Sequence, residues 1–262
     1  PDSALAGVRV MVTRPHSQSA GLCRSLQNAG ATTMAFPVLE IAPLPAQLSA
    51  TALAATMAVI FVSANAVEHG VPLVRRAGGL PDGAHAIAIG RATAAALRAA
   101  GFTNVVSPQQ NMDSEGVLAL PQLQAVRGKH IILVKGRSDQ GGRRELEAVL
   151  ASRGAILEIV ECYERRAVVA ASGLVDAAGS FLSGTPVPVV MALSVETLDA
   201  LMGSLSAFLA PLRASWLLVP HPRVASAARE RGFYFVLEVP MSAEELVPAL
   251  VSLKPRLAAR NN

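Results

Sequence analysis

The sequence predicts an α/β protein of two similar three-layer α/β domains with parallel sheets, joined by a two-segment linker. Two observations support this fold class. A strand, a helix and a second strand follow one another at residues 8–41, and the same order returns at residues 130–162. Such a unit places its two strands in parallel. We call the two copies of this unit A and A′. A second kind of segment follows each copy, B after A and B′ after A′, so the chain order is A, B, A′, B′.

The second copy, A′, shows most clearly why these elements are expected. Residues 130–134 are an apolar run too short for a helix, which predicts a buried strand. Apolar residues then recur at helical spacing opposite charged ones, as in an amphipathic helix: Leu146, Val149 and Leu150. Gly154 is a natural residue to end that helix. In the first copy, A, the corresponding elements are residues 8–12, 20–28 and 33–41.

The same signals place the elements of B and B′. The expected strands are residues 59–62, 86–89, 104–107, 187–192, 216–219 and 234–238. The expected helices are residues 51–57, 66–76, 93–100, 113–120, 196–202, 225–231 and 243–253. Two domains result if A joins B′ and B joins A′. Residues 1–40 with 168–262 would form one domain and residues 41–167 the other, because proline-rich or short crossing segments lie at 37–45 and 164–170.

Composition excludes several classes of protein. Hydrophobic residues make up 52% of the 262 residues and charged ones 16%, so a disordered chain is not expected. Two cysteines do not make a disulfide framework, and they fit a reducing, cytoplasmic location. The five histidines lack metal-ligand spacing, so no metal site is expected. No secretion signal is apparent, and prolines and polar residues interrupt the uncharged run at 41–67, so no membrane span is expected.

Charge indicates the kind of ligand. The net charge of +4 favours an anionic partner. Aromatic residues are only 4% of the chain, and base stacking by single-strand binders requires aromatics, so nucleic acid is not expected. We therefore expect a small polyanion as the partner. The protein is expected to be a monomer, although no feature of the sequence gives its oligomeric state.

The functional loops should lie at the carboxyl ends of the parallel strands, where ligands of such sheets bind. They are residues 13–15, 63–65, 90–93, 135–142, 194–195 and 220–223. Ser63, Asn65, Thr93 and Ser194 are equally the residue types that cap helix N-termini. Cap-region amides also point toward an anion, so both roles can coexist.

Other residues in these loops have two interpretations each. Residues 136–142 read GxxxxGG, but the Lys-Ser/Thr pair of a nucleotide-binding loop is missing, which leaves a glycine-rich turn or a carboxylate-binding loop. Arginines in the loops could pair with carboxylates or be solvated charges: Arg14, Arg91 and Arg223. His221 lies between prolines, which favours a turn role, and Cys162 is expected in the core.

Tyr163 is one of two tyrosines in the chain. It could simply fill space at the end of a strand. Alternatively it could act as a general acid, because a free phenol has a pKa of about 10 and holds its proton at neutral pH.

The loops together resemble uroporphyrinogen-III synthase. The resemblance is carried, in order, by Val12-Thr13-Arg14-Pro15, residues 37–41, Phe61-Val62-Ser63-Ala64-Asn65-Ala66-Val67, Ile89-Gly90-Arg91-Ala92-Thr93-Ala94, residues 114–118, Lys135-Gly136 to Arg143, residues 160–165 around Tyr163, and Val219-Pro220-His221-Pro222-Arg223. These stretches span nearly the whole chain. In many relatives a Gly-x-Thr turn stands where this chain has Pro220 to Arg223, so a hydroxyl contact there does not carry over.

The resemblance implies a fold, a substrate and a reaction. The fold is two α/β domains with two connecting segments. The substrate is hydroxymethylbilane, a linear tetrapyrrole with eight carboxylates, which closes with inversion of the last pyrrole ring and loss of water, without a cofactor. Tyr163 would be the catalytic acid. Substrate binding would involve Arg14, Ser63, Ala64, Asn65, Gly90, Arg91, Thr93, Lys135, Gly136, Ser194, His221 and Arg223.

Two other classes of function are compatible with parts of this sequence. A non-catalytic two-domain cytosolic module for a small anion would share the architecture, and the presence of Tyr163 favours the enzyme over it. A nucleotide-dependent α/β enzyme is disfavoured because GxGxxG and the Walker lysine are missing.

Overall fold

The computed structural model describes residues 3–137 and 144–259. Its strands, numbered β1 to β11 in chain order, are Arg9–Val12, Thr32–Ala35, Leu39–Pro43, Thr56–Phe61, His85–Ala88, Val105–Val106, His130–Arg137, Ile156–Ala167, Val189–Met191, Trp216–Val219 and Phe235–Glu238. Its helices, numbered α1 to α11, are His16–Asn28, Ala50–Ala55, Ala64–Arg76, Arg91–Ala99, Ser114–Leu118, Arg144–Ser152, Ser172–Ser183, Val195–Ser204, Leu209–Ala214, Pro222–Glu230 and Ala243–Ala258. The part of the predicted glycine-rich loop at 138–142 lies outside the described residues.

The strands form two sheets. One has the order β11-β10-β9-β1-β2 and the other the order β3-β8-β7-β4-β5-β6. All neighbouring strands of the five-stranded sheet pair in parallel. In the six-stranded sheet the pairs β8-β7, β7-β4, β4-β5 and β5-β6 are parallel. The predicted α/β class with parallel sheets is confirmed.

Tertiary contacts divide the chain into two compact units. The first contains residues 1–40 and 166–262, and the second contains residues 41–165. In the first unit both faces of the sheet are buried. Val10 and Val12 pack in one cluster with Leu22 of α1 and Leu246 of α11, whereas Met11 packs in the cluster on the opposite face. Alternate residues of a strand point to opposite faces of the sheet. Helices α1 and α11 cover one face, helices such as α8 and α10 cover the other, and the unit therefore has three layers.

The second unit has one continuous core around β4 and β7. Residues 58–61 and 131–134 are fully or almost fully buried, as expected for central parallel strands. Helix α3 packs on this core, and its Gly70 leaves room for Val134 of β7, since a Cβ there would lie 2.4 Å from the valine Cγ1.

The predicted strand at 33–41 is in fact two strands. β2 pairs with β1 and ends at Ala35, whereas β3 lies beside β8 at the edge of the six-stranded sheet. Pro37 lies at the break and has no amide to continue a ladder. Backbone bonds run from Leu44 N to Cys162 O and from Val168 N to Val38 O, so β3 runs antiparallel to β8. β8 is also longer than predicted, reaching Ala167.

Sequence periodicity missed two helices of the first unit, α7 and α9. Helix α7 is rich in glycine and serine, which lower helix propensity, so packing of its buried face decides its structure. Among the described helices, none alone is long and apolar enough to cross a membrane. One pair, Val195–Ser204 with Ser206–Ala214, reaches that length and composition only jointly, across an 87° bend.

Candidate functional site

In the second unit, predicted site residues collect where parallel strands end. Strands β4, β5, β7 and β8 run in the same direction, so their carboxyl ends share one edge of the sheet. Ser63 follows β4, Gly90 follows β5, and Gly136 and Tyr163 lie directly opposite each other on β7 and β8. This edge is the candidate active site of the second unit.

Tyr163 is the best-defined residue of this site. Its side chain is buried, and its hydroxyl oxygen lies 2.9 Å from Ser63 Oγ. Its ring lies 5.8 Å from the ring of His69, centroid to centroid, with 33° between the planes. The tyrosine therefore packs against helix α3 while its polar end meets the N-terminus of that helix.

Ser63 connects the phenol to the helix. It is the N-cap of α3, where its Oγ accepts a hydrogen bond from Ala66 N at 3.0 Å. The same oxygen can donate its own proton to the phenol or accept the phenol proton. Ser63 is thus both a helix cap and a partner of Tyr163, whereas its substrate-binding role stays a prediction.

Of the other three residues that could cap helices, one is an N-cap and two lie inside their helices. Ser194 caps α8 by accepting from Thr197 N at 3.1 Å. The α4 N-cap is Gly90, whereas Thr93 is a buried residue of the first turn. Asn65 lies inside the first turn of α3, after Ala64. Cap roles for Asn65 and Thr93 were therefore wrong, because both helices begin earlier than periodicity indicated.

Lys135 is already paired. Its Nζ lies 2.5 Å from Glu147 Oε1 and 3.9 Å from Glu161 Oε1. Glu161 also pairs with Arg137 Nε at 3.3 Å. The ammonium of Lys135 is therefore largely neutralised within the protein, which weakens it as a carboxylate ligand; its substrate-binding role stays a prediction.

In the first unit, the loop after β1 is fixed by two polar side chains. Thr13 Oγ1 donates to Met191 O at 2.8 Å and so ties this loop to β9. The Arg14 guanidinium donates through Nη2 to the carbonyl of Met241, in the loop after β11. Burial lowers the pKa of Arg14. Within the part of the chain that the structure describes, its buried Nε has no hydrogen-bond partner.

Two further loops lie at the same carboxyl edge of this sheet. Ser194 follows β9, and residues 220–223 follow β10. His221 occupies the N-cap position of α10 without a side-chain cap bond, and Pro222 begins the helix, as its fixed φ favours. His221 and Arg223 are exposed. Arg91 of the second unit is likewise exposed, at the first position of α4.

Within residues 3–137 and 144–259, no group of three or more His, Cys, Asp and Glu side chains is arranged to hold a metal ion. Burial raises the pKa of Cys162 to about 11, and its thiol donates toward Ala66 O and Lys135 O at 3.9 and 3.6 Å. Cys162 is a core residue, as the sequence indicated.

Comparison with known proteins assigns the chain to a family. A family model described as uroporphyrinogen-III synthase HemD matches residues 21–245, most of the chain. The chain belongs to the uroporphyrinogen-III synthase family. The protein named uroporphyrinogen-III synthase in Escherichia coli K12 is 30% identical over 239 residues, which cover 86% of this chain and 92% of that protein. The one from Synechococcus elongatus is 33% identical over 171 residues, 63% of each chain.

Solved structures of the uroporphyrinogen-III synthase family share the fold. A mutant synthase of Thermus thermophilus has a TM-score of 0.61 at 20% identity and covers 97% of this chain and 99% of its own. The Helicobacter pylori enzyme has a TM-score of 0.61 at 18% identity, with 94% and 99% covered. At these identities the likeness shows the fold alone.

Sequence reasoning missed two contacts in this family member. His69 was not predicted, because it is half-buried and lies outside the apolar face of α3 that periodicity identifies. The Met241 carbonyl carries no sequence signal, because any residue could supply it. Both contacts depend on the tertiary packing of segments far apart in the chain.

Proposed function

We propose that this protein is an enzyme of tetrapyrrole biosynthesis that converts hydroxymethylbilane to uroporphyrinogen III. The reaction closes the ring with inversion of the last pyrrole and releases water, which makes the enzyme a cyclising hydro-lyase. The observation that carries this proposal is the Tyr163–Ser63 hydroxyl pair, at the strand edge of a member of this family.

Tyr163 is the proposed general acid. Its O–H donates a proton to the leaving hydroxyl while the C–O bond breaks and water departs, and the pyrrole nitrogen of the substrate supplies the electrons. Ser63 can then donate its O–H to the phenolate oxygen. The N-terminus of α3 carries partial positive charge, which also favours an anion at this place. The Ser63 hydroxyl and the N-terminus of α3 would therefore both stabilise the negative charge that forms on the Tyr163 oxygen when it gives up its proton.

Mass balance defines the end of the reaction. The methylene carbon that lost the hydroxyl bonds to the substituted α-carbon of the last ring. The original bond from that α-carbon to the methylene of the preceding ring then breaks, and this methylene bonds to the free α-carbon, which inverts the last ring. The substrate loses a proton when the pyrrole is restored. Because only water is released overall, that proton replaces the one that Tyr163 gave, and the phenol returns to its starting state. No oxidant or reductant is consumed, so we propose no cofactor.

The substrate carboxylates are proposed to bind at the remaining strand-end loops. Main-chain amides at helix N-termini favour anions, and α3, α4, α8 and α10 all begin at such loops. The buried Arg14 Nε, without a partner in the described part of the chain, supports a carboxylate at that guanidinium. The proposed binding residues are Arg14, Ala64, Asn65, Gly90, Arg91, Thr93, Ser194, His221 and Arg223.

We further propose that the protein acts as a monomer in the cytoplasm and binds neither nucleic acid nor membranes. Cys23 and Cys162 are both free thiols, which fits a reducing compartment. Size-exclusion chromatography with light scattering and cell fractionation test these points.

The function is tested by supplying freshly prepared hydroxymethylbilane and separating the type I and type III isomers of the product. The bilane closes by itself to the uninverted ring, so a reaction without protein is the baseline. We expect the type III isomer from the protein and the type I isomer from the baseline. Binding of the bilane without type III product would favour the non-catalytic module and contradict the proposal.

A further inference from the structure

Cys162 and Tyr163 are neighbours on β8, yet both side chains contact the same helix. Cys162 Sγ approaches Ala66 O of α3, and the Tyr163 ring approaches His69 of the same helix. Consecutive residues of a regular strand point to opposite faces of the sheet. A regular β8 would therefore direct only one of these two side chains toward α3.

A register shift between β7 and β8 explains how both reach it. Lys135 pairs with Glu161, but the next residue, Gly136, pairs with Tyr163, so Cys162 is the extra residue. Such a bulge changes the direction in which the following side chain points, and bulges of this kind are common beside active sites. Here the bulge turns Tyr163 to the α3 side.

Gly136 supplies the space that the turned ring occupies. A Cβ at this position would lie 2.5 Å from Cε2 and from Cζ of Tyr163, and 3.0 Å from Cε1. Cβ atoms do not approach ring atoms so closely. The backbone of Gly136 has no positive φ, so its lack of a side chain is needed for the ring and not for the turn.

We propose that Gly136 is a positioning residue that acts through Tyr163. Together with the Cys162 bulge, it holds the phenol ring in a position where the hydroxyl hydrogen-bonds to Ser63 and can donate a proton to the leaving hydroxyl. This inference rests on the proposed function. It gives Gly136 a role different from contacting substrate, and it predicts that adding one methyl group damages catalysis without removing any reacting atom.

The first test is Gly136→Ala. The ring must move away from the new methyl group, and misplacing a catalytic group by about 1 Å can cost about 100-fold. We expect kcat to fall by about 10- to 100-fold with KM changed less than about threefold. The matched control is Gly179→Ala, because a Cβ there would lie 2.3 Å from the ring of Phe208 in the first unit. It should lower Tm but leave kcat unchanged.

A double-mutant cycle with Tyr163→Phe separates positioning from stability. Phenylalanine keeps the ring, so Gly136→Ala should lower Tm similarly in both backgrounds. The loss of kcat should appear only when the hydroxyl is present, since the cycle measures coupling between the two sites. An equal loss of kcat in both backgrounds, or a raised KM with unchanged kcat, would overturn the proposal.

A spectroscopic test does not depend on activity. In a Tyr234→Phe background Tyr163 is the remaining tyrosine, so 3-fluorotyrosine labelling gives one fluorine NMR resonance. Gly136→Ala should shift this resonance, and Gly179→Ala should not. If Gly136→Ala leaves the resonance unmoved, Gly136 does not set the position of the Tyr163 ring and the proposal is rejected. Absence of type III product from the unmodified protein, with the resonance shifted as expected, rejects the proposed function instead.

Discussion

Tyr163 Oη and Ser63 Oγ lie 2.9 Å apart, although the two residues are separated by 100 positions in the chain. The serine oxygen is held in turn by Ala66 N at the start of α3. The proposed general acid is thereby linked through Ser63 to the N-terminus of α3.

The first prediction concerns Tyr163→Phe. General-acid catalysis is worth about 10² to 10⁴ in rate, and water or Ser63 can replace part of it. We expect a folded protein that binds the bilane, turns it over much more slowly and still forms the type III isomer. Single-turnover kinetics with isomer separation provide the measurement, and near-normal kcat would exclude Tyr163 as the essential acid.

Ser63→Ala removes a cap and a partner of the phenol together. Loss of an N-cap costs about 1 kcal/mol of unfolding free energy. The control is Ser242→Ala, since Ser242 caps α11 in the same way by accepting from Glu245 N at 3.2 Å. We expect similar losses of stability but a lower kcat only for Ser63→Ala. Equal kcat values in the two variants would show that Ser63 is a cap and nothing more.

Arg14→Ala and Arg91→Ala test how carboxylates are bound. If main-chain amides carry much of the recognition, each replacement should raise KM modestly with kcat nearly unchanged. The effect should be larger for Arg14, whose buried Nε lacks a partner within the described chain. Steady-state kinetics measure both constants. A collapse of kcat at constant KM would mean that the arginine acts on the transition state.

Cys162 should be a poorly reactive thiol. The thiolate is the reactive form, and burial raises the pKa of Cys162 to about 11. At pH 8 we expect alkylation of native protein at Cys23 only, with Cys162 labelled after unfolding, as mass spectrometry can show. Because the pKa of Cys162 in the folded protein exceeds the ordinary thiol value of 9.0, its contribution to the free energy of unfolding is fully present below pH 9 and is lost as the pH rises toward 11. Rapid labelling of a Cys23→Ser variant would contradict this.

The second unit should fold without the rest of the chain. Its hydrophobic core consists of residues between 53 and 163, all within residues 41–165. We expect the isolated segment 41–165 to unfold cooperatively on heating, as followed by circular dichroism. The control is residues 1–40 alone, which lack the strands that β1 pairs with on one side and should stay unfolded. A disordered 41–165 segment would contradict two independent domains.

Local sequence determined much of this fold. Apolar runs such as residues 130–134 are too short for helices, and the periodicity around Leu146 admits little but a helix, so the α/β class and the repeated unit follow from spacing alone. The order of the loops also led to the family. Helix starts were less well placed, because the first turn of α3 and of α4 carries little periodic signal.

Tertiary structure alone decided the geometry of the candidate site. The sequence shows Gly136 and Tyr163 as two residues 27 positions apart, and neither indicates that a bulge at Cys162 sets them face to face. The same holds for the Arg14 guanidinium and the Met241 carbonyl. Propensity and periodicity act over a few residues, whereas register and ring placement depend on how distant segments fill one volume. Tyr163 could therefore be proposed as a general acid from the sequence, but the position of its ring against Gly136 and its hydrogen bond to Ser63 could not be predicted.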